Sequence, residues 1–157
     1  MIFVAVGTQF PFDRLVRYVD EWCGANFHQG IAQIAEGQYL PKYIQYEKFM
    51  TTDVFNQHLH QADLIISHAG MGNIITAVEA HKPIIVMNRQ FELGEHRNNH
   101  QADGLEWMGQ LPGVYTATTQ EQLLALLNQM SDLKPAQGQA GSRRQALTDF
   151  IDQAIRA

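Results

Sequence analysis

Apolar and polar residues alternate along this chain in blocks that read as strands and helices in turn. Met1 to Gln9 (MIFVAVGTQ), Asp63 to Ser67 (DLIIS) and Pro83 to Met87 (PIIVM) are short, nearly continuous apolar runs, each closed by polar residues or glycine. Runs of that length rich in Ile and Val predict strands buried on both faces. Ile31 to Glu36 (IAQIAE), Tyr43 to Lys48 (YIQYEK) and the short Gly113 to Thr116 add further strands, with Gly37 and Pro41 as breaks between the first two. Phe12, Leu15, Val16 and Val19 follow the helical period over Phe12 to Trp22, and Thr51 to Gln61, Asn73 to His81 and Asn99 to Gly109 are also read as helices. Thr118 opens another through Gln122 to Met130, with Glu121 completing a capping box. Ser131 to Gly141, rich in Pro, Gly and Gln, reads as a linker, and Ser142 to Ala157 as a last helix with Leu147, Phe150, Ile151 and Ile155 on one face. This order predicts an α/β fold: a single Rossmann-like domain over residues 1–157, its mainly parallel sheet covered by helices on both faces.

Length narrows the picture. A chain of 157 residues builds one core and is too short for two Rossmann-like halves. The net charge of −5 and a pI near 5.7 speak against nucleic acid as a partner, since nonspecific binding to that polyanion needs a basic surface. There is no run of about 18 apolar residues of the kind that spans a bilayer. The first residues read as a core strand rather than a signal peptide. The single cysteine, Cys23, allows no internal disulfide and fits a reducing cytoplasm; its place near the end of the first helix predicts packing rather than nucleophilic chemistry.

Candidate chemistry gathers at three strand exits. Ser67-His68-Ala69-Gly70-Met71-Gly72-Asn73 joins an apolar strand to a helix. Glycines there admit a ligand to the backbone, and free amides at the positive end of the helix dipole attract phosphate. The third glycine of a dinucleotide fingerprint is absent, because Ile75 stands in its place, which sets a dinucleotide-dependent oxidoreductase well behind. Gly7, Thr8 and Gln9 form a second mouth, in which Thr8 could instead cap the first helix. The third exit is the polar loop from Asn88 to Gln101. In an open parallel sheet all three would lie outside the carboxyl ends of the strands, where ligands collect. His68 follows a buried strand, and its position alone does not separate a core role from a ligand role.

In order and spacing, VGTQ-F, ADLIISHAGMG, AHKPIIVMNR and LGEHRNNHQAD resemble the small PssE-type subunits of split glycosyltransferases of bacterial exopolysaccharide synthesis. They are similar also to the soluble subunit of the eukaryotic enzyme that adds the second N-acetylglucosamine to dolichol-linked oligosaccharide, and to the donor-binding half of MurG-like GT-B enzymes. The resemblance runs from Met1 to about Ala102. It implies a GT-B donor-binding lobe that takes a UDP-sugar, with UDP-glucuronic acid the candidate donor, and works with a membrane-anchored, acceptor-binding subunit on a polyprenyl-diphosphate-linked saccharide. The reaction would be inverting, with neither cofactor nor metal, at the cytoplasmic face of the inner membrane to which the partner recruits the chain. The alternative is a non-catalytic enhancer subunit of an independently active membrane transferase.

On that resemblance Gly7, Thr8, Gln9, His68, Gly70, Met71, Gly72 and Asn73 line the donor cleft, the helix amides taking the diphosphate and the charge that develops on the leaving group. His100 and Gln101 match the pair that binds sugar hydroxyls, and Glu95 and His96 are the candidate catalytic residues. Related single-chain enzymes hold the donor ribose with a glutamate where this chain has Thr76, so the contact falls to Thr76 or to Glu79 one turn on. Arg89 and Arg97 are placed to grip the donor's phosphates or a sugar carboxylate. A metal site is disfavoured: His58 and His60 point to different helix faces, and Arg97 follows His96 where a zincin has glutamate.

Overall fold

The computed structural model describes residues 1–7, 11–88 and 111–134. In chain order they form β1 (Ile2–Ala5), α1 (Asp13–Asn26), β2 (Gly30–Gln33), β3 (Gln45–Glu47), α2 (Thr52–Gln61), β4 (Leu64–His68), α3 (Met71–Ala80), β5 (Ile84–Met87), β6 (Val114–Ala117) and α4 (Gln120–Asn128), then a 3-10 turn at Met130–Asp132. The six strands make one sheet in the order β3-β2-β1-β4-β5-β6, every neighbouring pair parallel. A single α/β domain with a parallel sheet and helices on both faces is what the strand and helix pattern predicts.

The continuous apolar runs become the central strands because both sides of those strands are covered. Ile2 and Val4 of β1, Leu64 and Ile66 of β4, and Ile85 and Met87 of β5 pack with α1 and α4 through Leu15, Val16, Val19, Leu123 and Leu127. Phe3 and Ala5, Ile65, and Ile84 and Val86 face the other way, onto Leu59 of α2 and Ile74 and Ala77 of α3. Such two-sided burial removes the alternation that marks a half-exposed strand. The edge strand β3 is exposed at all three positions. It is shorter than the predicted Tyr43 to Lys48 because the amides of Lys42, Tyr43 and Ile44 donate to the carboxylate of Asp20 at 2.9, 2.8 and 3.0 Å.

Several boundaries differ from the sequence expectation for local reasons. Phe12 is the N-cap of α1 and is fully buried, so the Phe12 ring anchors the helix start from outside the helix. The N-cap position of α1 is thus Phe12's, and Thr8 lies outside the described residues. α3 starts two residues before the predicted Asn73, with Gly70 as its N-cap. In place of the box predicted at Thr118 and Glu121, Thr119 is the N-cap: its Oγ1 accepts from the Gln122 amide at 3.2 Å, while Gln122 Oε1 reaches back to the amide of the preceding residue, Thr118, at 2.8 Å. Within the stretch read as a linker, Leu133 packs on the core and the Lys134 amide donates to Tyr115 Oη at 2.9 Å. The rest of that linker, the Asn99 to Gly109 helix and the Ser142 to Ala157 helix lie outside the described residues.

The strand order places a switch between β1 and β4. From β1 the chain crosses by α1 to β2 on one side, and β4 leads by α3 to β5 on the other. Since α1 and α3 pack on opposite faces, the loops leaving β1 and β4 part and open a crevice at the carboxyl edge of the sheet.

Candidate functional site

The crevice is built from two glycine turns set around one imidazole. Gly7, just past β1, has φ +86, a backbone state that side chains disfavour. A Cβ added at Gly7 would stand 3.1 Å from His68 Cε1, and one added at Gly70 would run into His68 Nε2 and come within 2.9 Å of Cδ2. Both turns thus close onto the His68 ring, which is half-buried at the end of β4. The predicted residues Gly7, His68, Gly70, Gly72 and Asn73 come together at the switch point.

The turn after β4 is held from beneath. Ser67, fully buried, donates its hydroxyl to the His68 carbonyl at 2.5 Å and accepts from Asn73 Nδ2 at 3.0 Å. The Gly70 amide donates to the same carbonyl at 2.7 Å, and the Ala69 amide to the Met87 carbonyl at 3.0 Å, which extends the ladder to β5. One N–H of the Asn73 carboxamide is therefore engaged in the turn.

Above this support α3 presents an uncapped N-terminus. Gly70 gives no side-chain cap, whereas α2 and α4 are capped by Thr51 and Thr119. A Cβ added at Gly72 would meet nothing within 4 Å. The amides of Gly72 and Asn73 have no protein acceptor among the described residues, so the positive end of the α3 dipole opens onto clear space. One turn on, the Thr76 hydroxyl donates to the Gly72 carbonyl at 2.7 Å. Its proton is engaged within the helix, while Glu79 is exposed.

Two contributors escape a local reading of the sequence. Arg14, in the first turn of α1, donates from Nη2 to the Asn88 carbonyl at 3.2 Å and lies 5.4 Å over the Phe12 ring, which brings a cation to the carboxyl end of β5. A cation in the first turn after a glycine mouth was the available signal. Gln33, buried at the end of β2, bonds both polar groups of Gly7: its Oε1 accepts the amide at 3.2 Å and its Nε2 donates to the carbonyl at 2.8 Å. A polar residue inside IAQIA was the only sequence sign of it.

The titrations of Asp20, Tyr39 and Cys23 are shifted, and these three groups lie away from the crevice. Burial alone would raise the Asp20 carboxyl, but the hydrogen bonds from Lys42, Tyr39, Tyr43 and Ile44 outweigh it and hold the group below its ordinary value. The Tyr39 hydroxyl, 2.6 Å from Asp20 Oδ2, is raised by burial and by that carboxylate. Burial pushes the Cys23 thiol up to about 12, so the group is inert at neutral pH and packs against the core as its position predicts. Thr8, Gln9, Arg89, Glu95, His96, Arg97, His100 and Gln101 lie outside the described residues.

The sequence profile of the glycosyltransferase family 28 C-terminal domain matches residues 1–154. The chain is 36% identical over 119 residues, 62% of its length, to a Mus musculus protein named UDP-N-acetylglucosamine transferase subunit ALG13, and 32% identical over 120 residues, 63% of its length, to the Homo sapiens protein of that name. It spans 10% of the length of each. Among solved structures, the solution structure of ALG13 superposes with a TM-score of 0.65 at 21% identity, covering 99% of this chain and 96% of that one. Acinetobacter baumannii MurG superposes with a TM-score of 0.59 at 14% identity, covering 99% of this chain and 49% of MurG. At these identities the superpositions establish the fold.

Proposed function

Because the chain belongs to the family of glycosyltransferase family 28 C-terminal domains, we propose that it is the donor-binding subunit of a two-component inverting glycosyltransferase that uses a UDP-sugar. The observation that carries this reading is the crevice between β1 and β4, where the uncapped end of α3 meets open space over Gly72. An anion of diphosphate size placed there receives the amides of Gly72 and Asn73 and faces the Gly7 turn across the His68 ring. The same amides stabilise the charge that grows on UDP as the glycosidic bond breaks, so the leaving group departs without a metal. Glu79, exposed one turn beyond Thr76, takes the ribose.

A single lobe holds one wall of a two-lobed cleft. A partner supplies the other wall together with the site for a polyprenyl-diphosphate-linked saccharide, and anchors the pair at the cytoplasmic face of the membrane. Similarity to proteins named as subunits of a UDP-N-acetylglucosamine transferase supports both the nucleotide and the need for a partner. Order and spacing of the loop motifs favour the PssE-type branch and exopolysaccharide synthesis, with Glu95 or His96 activating the acceptor and His100 and Gln101 on the sugar hydroxyls. Arg89 and Arg97 favour UDP-glucuronic acid, because an arginine fork grips a carboxylate through paired charged hydrogen bonds.

The test is a donor screen with the chain alone and co-expressed with its membrane-anchored partner. UDP should bind the chain alone, transfer should require both proteins, and UDP-glucuronic acid should be the preferred donor. Transfer of neutral sugars only would end the uronate assignment. Partner activity unchanged without this chain would make it an enhancer.

A further inference from the structure

Gln33 is buried to 3% exposure at the carboxyl end of β2, and its carboxamide is fully used. Oε1 accepts the Gly7 amide at 3.2 Å, while the two Nε2 hydrogens go to the carbonyls of Gly7 at 2.8 Å and Lys48 at 3.0 Å. The Val6 amide donates to the Gln33 carbonyl at 3.3 Å, so main chain and side chain bracket residues 6 and 7. The side chain thus acts as one more peptide group. It continues the pairing of β1 past the end of the strand and ties the Gly7 turn, through Lys48, to the far edge of the sheet. Gly7 sits at φ +86, and a Cβ built there would stand 3.1 Å from His68 Cε1, so the height of this turn decides how closely it approaches the imidazole.

We propose that Gln33 is a positioning residue of the donor cleft, setting the Gly7 turn against His68 and with it the width of the crevice that the diphosphate enters. The proposal rests on reading that crevice as the diphosphate site. Among the described residues no other side chain bonds both polar groups of Gly7. A residue that only filled space at position 33 would need no polar atoms. A mobile turn would also bring no preformed geometry to the ligand, and loss of preformed geometry weakens binding even where every contact residue remains.

The test is Gln33→Glu, which keeps shape and volume. Its carboxylate still accepts the Gly7 amide, but its second oxygen faces the carbonyls of Gly7 and Lys48, which expel it until it takes up a proton. At neutral pH this variant should bind UDP about tenfold more weakly than wild type, and the His68 Cε1 proton should shift in ligand-free NMR spectra. Both should return toward wild type on acidification, because the protonated acid restores one donor; wild type measured at each pH is the reference. Gln33→Met, which cannot regain a donor, should show the loss without the recovery, and stands in should Gln33→Glu not fold at neutral pH. A lowered melting temperature with UDP affinity, His68 shift and pH dependence as in wild type would overturn the proposal. A His68 shift that responds and recovers in a protein that never binds UDP would keep the clamp and overturn the donor reading.

Discussion

Gly72→Ala separates a glycine kept for the fold from a glycine kept for a ligand. Gly72 is the second residue of α3, is exposed, and would carry a Cβ into empty space. Replacing glycine by alanine within a helix stabilises by about 0.5–1 kcal/mol through lower chain entropy in the unfolded state. In a domain of this size that corresponds to a rise of about 1–4 °C in melting temperature. The new methyl stands over the amides meant for phosphate. If it displaces one charge-assisted hydrogen bond, worth about 1.5–3 kcal/mol, UDP affinity falls about 10- to 100-fold. Gly70→Ala is the control with the opposite signature, since its Cβ would collide with His68 and the fold itself must shift. Calorimetric titration with UDP beside thermal unfolding reads both quantities on each variant. A Gly72→Ala protein that is as stable as wild type and binds UDP equally well would remove the diphosphate from the end of α3.

Gly7→Ala should cost about 1–2 kcal/mol in urea unfolding, because alanine is forced to a positive φ against the His68 ring; unchanged stability would mean the turn relaxes freely. Asp20→Asn should destabilise by about 1–3 kcal/mol at neutral pH: Tyr39 can turn its hydroxyl to accept from the new amide, but the Lys42 amide then faces another donor. As the Asp20 pKa is lowered in the folded state, its contribution is complete above the ordinary value of 3.8 and disappears as pH falls through the lower folded value. The gap between wild type and Asp20→Asn should therefore close in acid, and a constant gap across the titration would contradict the hydrogen-bonded carboxylate. For the ribose, Glu79→Gln should weaken UDP more than 2′-deoxy-UDP while Thr76→Val affects neither, since the Thr76 proton is already given to Gly72; the reverse result would put the ribose on Thr76.

The central architecture was legible in the sequence because β1, β4 and β5 are buried on both faces, and a strand so placed is written as an unbroken apolar run. The location of the crevice followed from the same runs, since glycines at the exits of two parallel strands converge once the strands are neighbours. What supports the crevice was not legible. Gln33 sits 26 residues from Gly7 and 15 from Lys48 in sequence, and Asp20 sits 22 to 24 from the amides it collects. In isolation IAQIA reads as an alternating strand with Gln outward, and Asp20 as one more polar position on an amphipathic helix. Both are buried because a carboxamide or carboxylate that satisfies three distant backbone groups is cheaper to bury than those groups left alone. The Thr118-Thr119-Gln120-Glu121-Gln122 stretch shows the complementary ambiguity, as adjacent threonines and acceptors allow two capping registers and only the packed structure selects Thr119 with Gln122. Local pattern alone thus places a cap to within one residue, because its partners lie within one turn. Gln33, which shapes the cleft, draws its partners from 26 and 15 residues away, and its burial becomes intelligible once the strand order brings β2 beside β1.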